Sequence, residues 1–253
     1  MKISIGERSP QDLMELHELY VQEANCQIIH HSFWRRGLLD AYAIEINGRL
    51  AGHGAVSNRY DKGRLIEFYI LPEYRRHALP AVHELLPHTK ATHFEAQSNI
   101  GVMSLAIHDC ATNIKAEKVL FADAFTTQLP APMNAQFRRL TEATTHEREP
   151  AGDYVLDVSG EIVAQGGFLC HYNPPYADLF MTVREPHRRL GYGSYLVEEL
   201  KRVCYQNGKR PAARCDVRNA ASRATLQKAG LLACGHLLVG KIKLADQRSR
   251  SSS

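Results

Sequence analysis

Between Val183 and Leu196 the chain reads V-R-E-P-H-R-R-L-G-Y-G-S-Y-L, the stretch whose residue types are best suited to hold an anion. A strand-like run, Asp178 to Val183, feeds a basic turn with two glycines, and an amphipathic helix begins near Ser194. Glycine permits left-handed backbone and close approach to a ligand, and the first turn of a helix carries N–H groups without intrahelical acceptors. Strand, glycine turn and helix start together make a nest for phosphate. Arg188 and Arg189 add two cations where a diphosphate would lie. Two other phosphate-binding patterns fail. The dinucleotide loop needs a third glycine where Leu196 stands and an acid where Pro211 stands. The Gly-x-x-x-x-Gly-Lys-Ser/Thr loop matches Gly208 and Lys209 but meets Val203 and Arg210 at its other two positions. A plain tight turn is the alternative without a ligand.

Arg188-x-x-Gly191-x-Gly193 resembles the Arg/Gln-x-x-Gly-x-Gly/Ala motif of the GNAT superfamily of acyl-CoA N-acyltransferases. Downstream, Asn219-Ala220-Ala221-Ser222 and Lys228-Ala229-Gly230-Leu231 are similar to that family's Asn-x-x-Ser/Ala and Lys-x-Gly-Phe signature, with Leu231 in place of Phe. The resemblance implies an α/β fold with a mostly antiparallel central sheet, a splayed fourth and fifth strand, and flanking helices. It also implies acetyl-CoA, or another acyl-CoA, as cofactor. By position, the diphosphate would rest on Arg188, Arg189, Leu190, Gly191, Tyr192, Gly193 and Ser194. Met181, Thr182 and Val183 would meet the pantetheine arm, with Asn219 and Ser222 at its far end. Helix capping alone is the other reading of Asn219 and Ser222.

Acetyl transfer to an amine depends mainly on positioning the thioester, with one proton removed from the nucleophile. Asp216, on the strand before Asn219, is the first candidate for that base, near a register where some relatives carry a Glu. The alternative is a solvent-facing strand residue. Asp178 is a second carboxylate, which strand alternation could turn away. Tyr176, with His171 and Tyr172, flanks Asn173-Pro174-Pro175 in a loop where substrate contacts are common. One departure stands out: seven residues after Asn219, where many relatives have a tyrosine acid, this chain has Leu226.

The elements that must position these residues occur twice. Ala41–Ile46, the Asn47-Gly48 turn and Leu50–Val56 form a predicted hairpin, and Asp153–Val158, Ser159-Gly160 and Ile162–Phe168 repeat it. Leu71–Pro80 then lies over Arg184–Gly193, with Ala78 and Pro80 replacing the glycines. Asn99 falls over Asn219, Val102 over Ser222 and His108 over Lys228. The expected organisation is a degenerate first domain, 1–130, a second domain with an intact motif, 131–246, and a polar, disordered tail, 247–253. Ahead of the first hairpin a strand precedes two helices, one from Ser9-Pro10 and one over 27–39. Met133–Gly152 is too short to repeat them all. After the nest, Leu196, Val197, Leu200, Val203 and Cys204 make an apolar stripe, with Glu198, Glu199, Lys201 and Arg202 opposite. Ala212–Val217 reads as a buried strand, and 231–234 and 236–244 as two closing strands. Gln128–Pro132 reads as an ordinary linker.

With 44% hydrophobic and 23% charged residues, the composition is globular, and no apolar run reaches the ~18–20 residues of a membrane span. The N-terminus lacks a signal-peptide core, so the expected location is cytoplasmic. Six cysteines show no paired spacing and there is no His-Glu-x-x-His, so no metal is expected and buried thiols are. Residues 1–130 carry a net −2 and 131–253 a net +6, which an anionic ligand in the second half explains. No aromatic-interleaved basic stripe points to nucleic acid. The leading expectation is an N-acetyltransferase acting on a primary amine of a small molecule or an exposed protein amine. A non-catalytic acyl-CoA sensor and acyl transfer from an aminoacyl-tRNA are the alternatives.

Overall fold

A computed structural model of the chain describes residues 1–140 and 153–243. From the hairpin onward its elements follow one order twice. The first pass is β1 (Ile3–Arg8), a 3₁₀ turn Pro10–Leu13, α1 (Met14–Ala24), α2 (His31–Arg36), β2 (Leu39–Ile46), β3 (Arg49–Ser57) and β4 (Arg64–Ile70). It continues through a 3₁₀ turn Pro72–His77, α3 (Ala78–His88), β5 (His93–Gln97), α4 (Gly101–Cys110) and β6 (Ala111–Asp123). The second pass is β7 (Ala135–Arg139), β8 (Tyr154–Val158), β9 (Glu161–Leu169), β10 (Tyr176–Val183), a 3₁₀ turn Glu185–His187, α5 (Tyr192–Gln206), β11 (Arg210–Asp216), α6 (Ala220–Lys228) and β12 (Leu231–Ile242). Both predicted hairpins form, with Asn47, Gly48, Ser159 and Gly160 all at positive φ. Part of the short stretch between β7 and β8, and the polar tail, lie outside the described residues. Among the described residues no helix is long and apolar enough to cross a membrane.

The chain forms two compact units, and neither is contiguous. Of the described residues, unit 1 comprises Met1–Ala24, Phe33–Glu117 and 236–243, and unit 2 comprises Asn25–Ser32, 118–140 and 153–235. A single cut at residue 130 therefore does not describe the packing. Within unit 1, β1 to β4 pair antiparallel, β4 pairs β5 in parallel, and β5 pairs antiparallel with the end of β12, Leu237–Lys241. Within unit 2, β7 to β10 pair antiparallel, β10 pairs β11 in parallel, and β11 pairs antiparallel with the end of β6, Lys118–Ala122. Each repeat's last strand thus completes the other repeat's sheet. Two closing strands were expected at 231–234 and 236–244, but β12 is one strand that begins in unit 2 and ends in unit 1.

The predicted helix over 27–39 shrinks to His31–Arg36. The residues before it pack instead on unit 2: Ile28 N–H donates to Asn173 Oδ1 at 2.7 Å, and Asn173 Nδ2 donates to the Cys26 carbonyl at 2.9 Å. Unit 1 buries Leu65, Phe68, Ile70, Leu85, Phe94 and Met103. It also buries one carboxylate, Glu67 on β4. His17 Nδ1 and His53 Nε2 lie 2.8 and 2.6 Å from its Oε1, and Trp34 Nε1 donates to Oε2 at 3.2 Å. Burial would raise the Glu67 pKa, but the two histidines outweigh it and bring it down to about 2. His53 Nδ1 is buried without a partner, which favours the proton on Nε2, since a buried lone pair costs less than a buried N–H. In unit 2 the apolar stripe of α5 packs on the sheet as expected, with Leu196, Val197, Leu200 and Cys204 all fully buried.

Candidate functional site

β10 and β11 pair only over Tyr176–Leu179 and Arg210–Ala213, while β10 runs on to Val183 and β11 to Asp216. The two strands splay after this short register, and the β10 edge beyond Leu179 has no β11 partner. Along β10, Ala177, Leu179, Met181 and Val183 face the α5 core, so Tyr176, Asp178, Phe180 and Thr182 occupy the opposite face.

The nest follows β10 after the 3₁₀ turn Glu185–His187. Arg189 and Gly191 have φ of +67° and +87°, two left-handed residues separated by Leu190. Such alternation turns successive N–H groups into one concavity. Holding a non-glycine residue there costs roughly 1 kcal/mol, which marks Arg189 as a place where local strain is retained. The first helical bond is Tyr195 N–H to the Gly191 carbonyl, and the N–H groups from Arg189 to Ser194 have no acceptor among the described residues. The two glycines differ in role. A Cβ at Gly191 would meet nothing, so its requirement is the positive φ; one at Gly193 would lie 3.2 Å from Val183 and Thr225, so Gly193 permits helix packing rather than ligand approach. Arg188 is also partly structural, its Nε donating to the Val183 carbonyl at 3.2 Å. Arg189 makes no hydrogen bond or ion pair among the described residues, and Leu190 is exposed.

The other expected residues lie as follows. Thr182 is exposed, and Met181 and Val183 are half-buried on the free edge of β10. Tyr192 opens α5 half-buried, while Ser194 is buried in its first turn. Asn219 caps α6, its Oδ1 accepting the Ser222 N–H at 3.0 Å, so its side chain already has a structural task. Leu226 is core. Asp216 accepts from Arg218 N and Nε at 2.9 and 3.1 Å and lies 3.7 Å from Lys118. The hydrogen bonds from Arg218 push its pKa below the ordinary carboxylate value, which weakens it as a base. Tyr176 is buried at the start of β10 beneath Arg210, seven residues or about 23 Å along the strand from Val183.

Asp178 is different. It is 5% exposed, and Gln27 Nε2 donates to its Oδ1 at 2.7 Å. Tyr172 OH donates to Oδ2 at 3.2 Å, and Arg214 Nε lies 3.5 Å from the same oxygen. Arg214 also donates to Tyr172 OH at 2.7 Å. Burial raises the Asp178 pKa even against Arg214 and these hydrogen bonds, so this carboxylate holds a proton more readily than Asp216. Gln27 escaped sequence reasoning because it lies in the other repeat, although it belongs to unit 2.

Two charged residues read as lying opposite the apolar stripe of α5 are nonetheless buried: Glu198 and Lys201 are 2% and 1% exposed. The segment after β6 covers them. Lys201 Nζ pairs with Asp123 at 2.8 Å and donates to the Phe125 and Ala229 carbonyls at 2.6 and 2.8 Å. Glu198 Oε2 accepts from Thr127 Oγ1 and Leu129 N–H at 2.9 and 2.8 Å. The expected ordinary linker is thus anchored on α5.

A parallel strand pair thus splays beside a left-handed nest and a helix start. Residues 118–231 match the acetyltransferase (GNAT) family, from the residue at which unit 2 resumes. The fold agrees over nearly the whole chain. A GNAT-family acetyltransferase from Colwellia psychrerythraea superposes with a TM-score of 0.71 at 16% identity, covering 96% of this chain and 100% of its own. A GCN5-related N-acetyltransferase from Sphaerobacter thermophilus gives 0.61 at 15% identity, covering 95% of each chain. A tandem GNAT protein from the clavulanic acid biosynthesis pathway gives 0.58 at 11% identity, covering 97% and 100%. No curated protein matches the chain in sequence.

Proposed function

We propose that this chain is an acetyl-CoA-dependent N-acetyltransferase that binds its acyl donor on unit 2 and transfers the acetyl group to a primary amine. The observation that carries the reading is the run of uncommitted N–H groups from Arg189 to Ser194 beside the free edge of β10. These donors, with Arg189 alongside, fit a diphosphate. Acetyl-CoA supplies the activated acyl carbon, and the protein's own part is orientation and proton handling. The free β10 edge at Met181–Val183 offers backbone groups to an amide-bearing arm. Asp178, whose pKa burial raises, is our candidate for the base that accepts the proton the amine loses as its nitrogen bonds to the acyl carbon and the C–S bond breaks. Tyr172 and Arg214 hold that carboxylate in place. With Leu226 buried at the position of the relatives' tyrosine, the departing thiolate takes its proton from water at the open splay. The free cysteines fit a reducing, cytoplasmic setting.

A second reading, acyl-CoA binding without turnover, draws on the same Leu226 and on the engagement of both Asp178 oxygens. An amine panel incubated with acetyl-CoA and followed by free-thiol release decides between them. Amine-dependent release supports the transferase. Tight binding without release supports the sensor, and absence of binding overturns both.

A further inference from the structure

Unit 1 holds a cavity of about 310 Å³ at the start of α4. Ligand pockets ordinarily span about 300–1,000 Å³, so this is room for a small molecule rather than for a large cofactor. Its walls come from α1, the end of β4, the turn before α3 and the first turn of α4, all within unit 1. No phosphate nest stands beside it, since Ala78 on its wall is right-handed with φ −59°.

The wall carries polar groups of both kinds that the fold leaves open. The start of α4 has neither a capping side chain nor an acidic residue in its first turn, and the N–H groups of Gly101 and Val102 have no acceptor among the described residues. That helix end is a positive pole with donors to spare. Just before it, Asn99 Oδ1 is buried and accepts no hydrogen bond. The corresponding Asn219 of unit 2 is itself the cap residue and spends its Oδ1 on the Ser222 N–H, whereas the cap position of α4 falls on Ile100, so Asn99 is out of capping register. A buried acceptor without a partner is costly, and a donor on a ligand would remove that cost. The same wall holds Glu23 and Arg75, which pair with each other, while Tyr69 OH donates to Glu23 Oε1 at 2.7 Å. Their charges cancel. A ligand with a net charge would leave one of them unmatched, and a ligand with one charge of each sign matches both. Ile100 and Leu105 add apolar surface.

We infer that this cavity binds a free α-amino acid with an apolar side chain. Its carboxylate lies on the Gly101 and Val102 N–H groups with Arg75 alongside, its ammonium donates to Asn99 Oδ1 and Glu23, and its side chain meets Ile100 and Leu105. The inference is independent of the acyl-donor reading, which concerns unit 2. A thermal-shift screen of the full chain against the twenty standard amino acids, with calorimetry on each hit, tests it. At least one apolar amino acid should raise the unfolding temperature and bind. Its counterparts lacking the amine or the carboxylate, for leucine 4-methylpentanoate and 3-methylbutylamine, should bind about tenfold more weakly or worse. Two variants locate the site. Gly101→Pro removes one N–H at the first helical position, where proline suits the helix, the extended Ile100 before it suits proline, and a Cβ meets nothing. Asn99→Leu removes the orphan acceptor and, with no bond to Oδ1 to lose, should not lower the unfolding temperature of the free protein. Each variant should weaken amino-acid binding about tenfold and leave CoA affinity unchanged. Binding by none of the twenty, equal binding of the amine or acid counterpart, or an affinity that neither variant moves would overturn the site. Failure of the wild type to bind CoA would instead refute the acyl-donor reading and leave this site standing.

Discussion

The turn after β4 and the turn after β10 start from the same plan and end differently. In each, an arginine reaches back to the last strand carbonyl, Arg75 Nε to Ile70 at 3.4 Å and Arg188 Nε to Val183 at 3.2 Å. That latch is the part both repeats share. After it, the second repeat makes two left-handed residues, whereas the first passes from its 3₁₀ turn straight into α3 with Ala78 at φ −59°. No residue between 64 and 92 has positive φ, so no concavity of N–H groups forms, and Pro80 removes one donor from the first turn. Charge follows the same division. Arg75 is held by Glu23 of α1, which also accepts from Tyr69 OH at 2.7 Å, while Arg188 has no acidic partner among the described residues. A latch arginine is therefore a structural device of the turn, and anion binding needs backbone shape and free charge besides.

Changing Gly191 to proline should break the contrast most severely. Proline is confined near φ −65° and cannot adopt +87°, so the nest collapses while the core beneath α5 is untouched. CoA affinity should fall about a thousandfold, or ~4 kcal/mol, by calorimetry, with thermal unfolding little changed. Unchanged affinity in the folded variant would mean that the nest is not the site.

The next effect belongs to unit 1, where β4 carries Glu67 in its interior. Glu67→Gln should destabilise the protein by about 3 kcal/mol, because it removes a buried charge that three N–H groups address. The pH dependence has a definite sign. The Glu67 pKa is lower in the folded state than its ordinary 4.5, so its stabilisation is present above that value and is lost as pH falls toward about 2. Acid unfolding in the wild type but not in Glu67→Gln should therefore steepen across that window; identical acid profiles would remove Glu67 from the account.

A smaller effect separates capping from binding in unit 2. Asn219→Ala should cost about 1 kcal/mol of stability through the lost bond to Ser222, with donor affinity nearly unchanged. An affinity loss well beyond the stability loss would show that Asn219 touches the ligand. The smallest change is expected from Glu23→Gln, which releases Arg75 and shifts stability by less than about 1 kcal/mol, as half-exposed ion pairs do. It should not create a second CoA site, because the backbone around Ala78 stays right-handed.

What the sequence revealed was what short segments determine. The paired hairpins, the Arg188-to-Gly193 turn, the Asn219 cap and the apolar stripe of α5 each depend on residues within one turn or one helix. What escaped depends on partners far apart in the chain. Gln27 and Asp178 are 151 residues apart, Lys201 and Phe125 76, Glu198 and Leu129 69, and Arg75 and Glu23 52. Spacing and periodicity carry no trace of such pairs. The helical period puts Glu198 opposite the apolar stripe and Lys201 on its flank; the covering segment is what buries them. The exchange of β6 and β12 was invisible for a related reason, since either last strand has the pattern of a sheet strand and only three-dimensional pairing shows which sheet it completes.

Among the described residues, the turn from Arg189 to Gly191 on unit 2 combines alternating left-handed backbone with uncommitted N–H groups, whereas the similar turn at Asp61–Gly63 spends its Gly63 and Arg64 N–H groups on Ser57 and Asp61. Native mass spectrometry of the full chain titrated with CoA tests this contrast directly. Saturation is expected at one CoA per chain, with that one lost in Gly191→Pro. Two equivalent CoA molecules per chain, or one that survives the substitution, would contradict it.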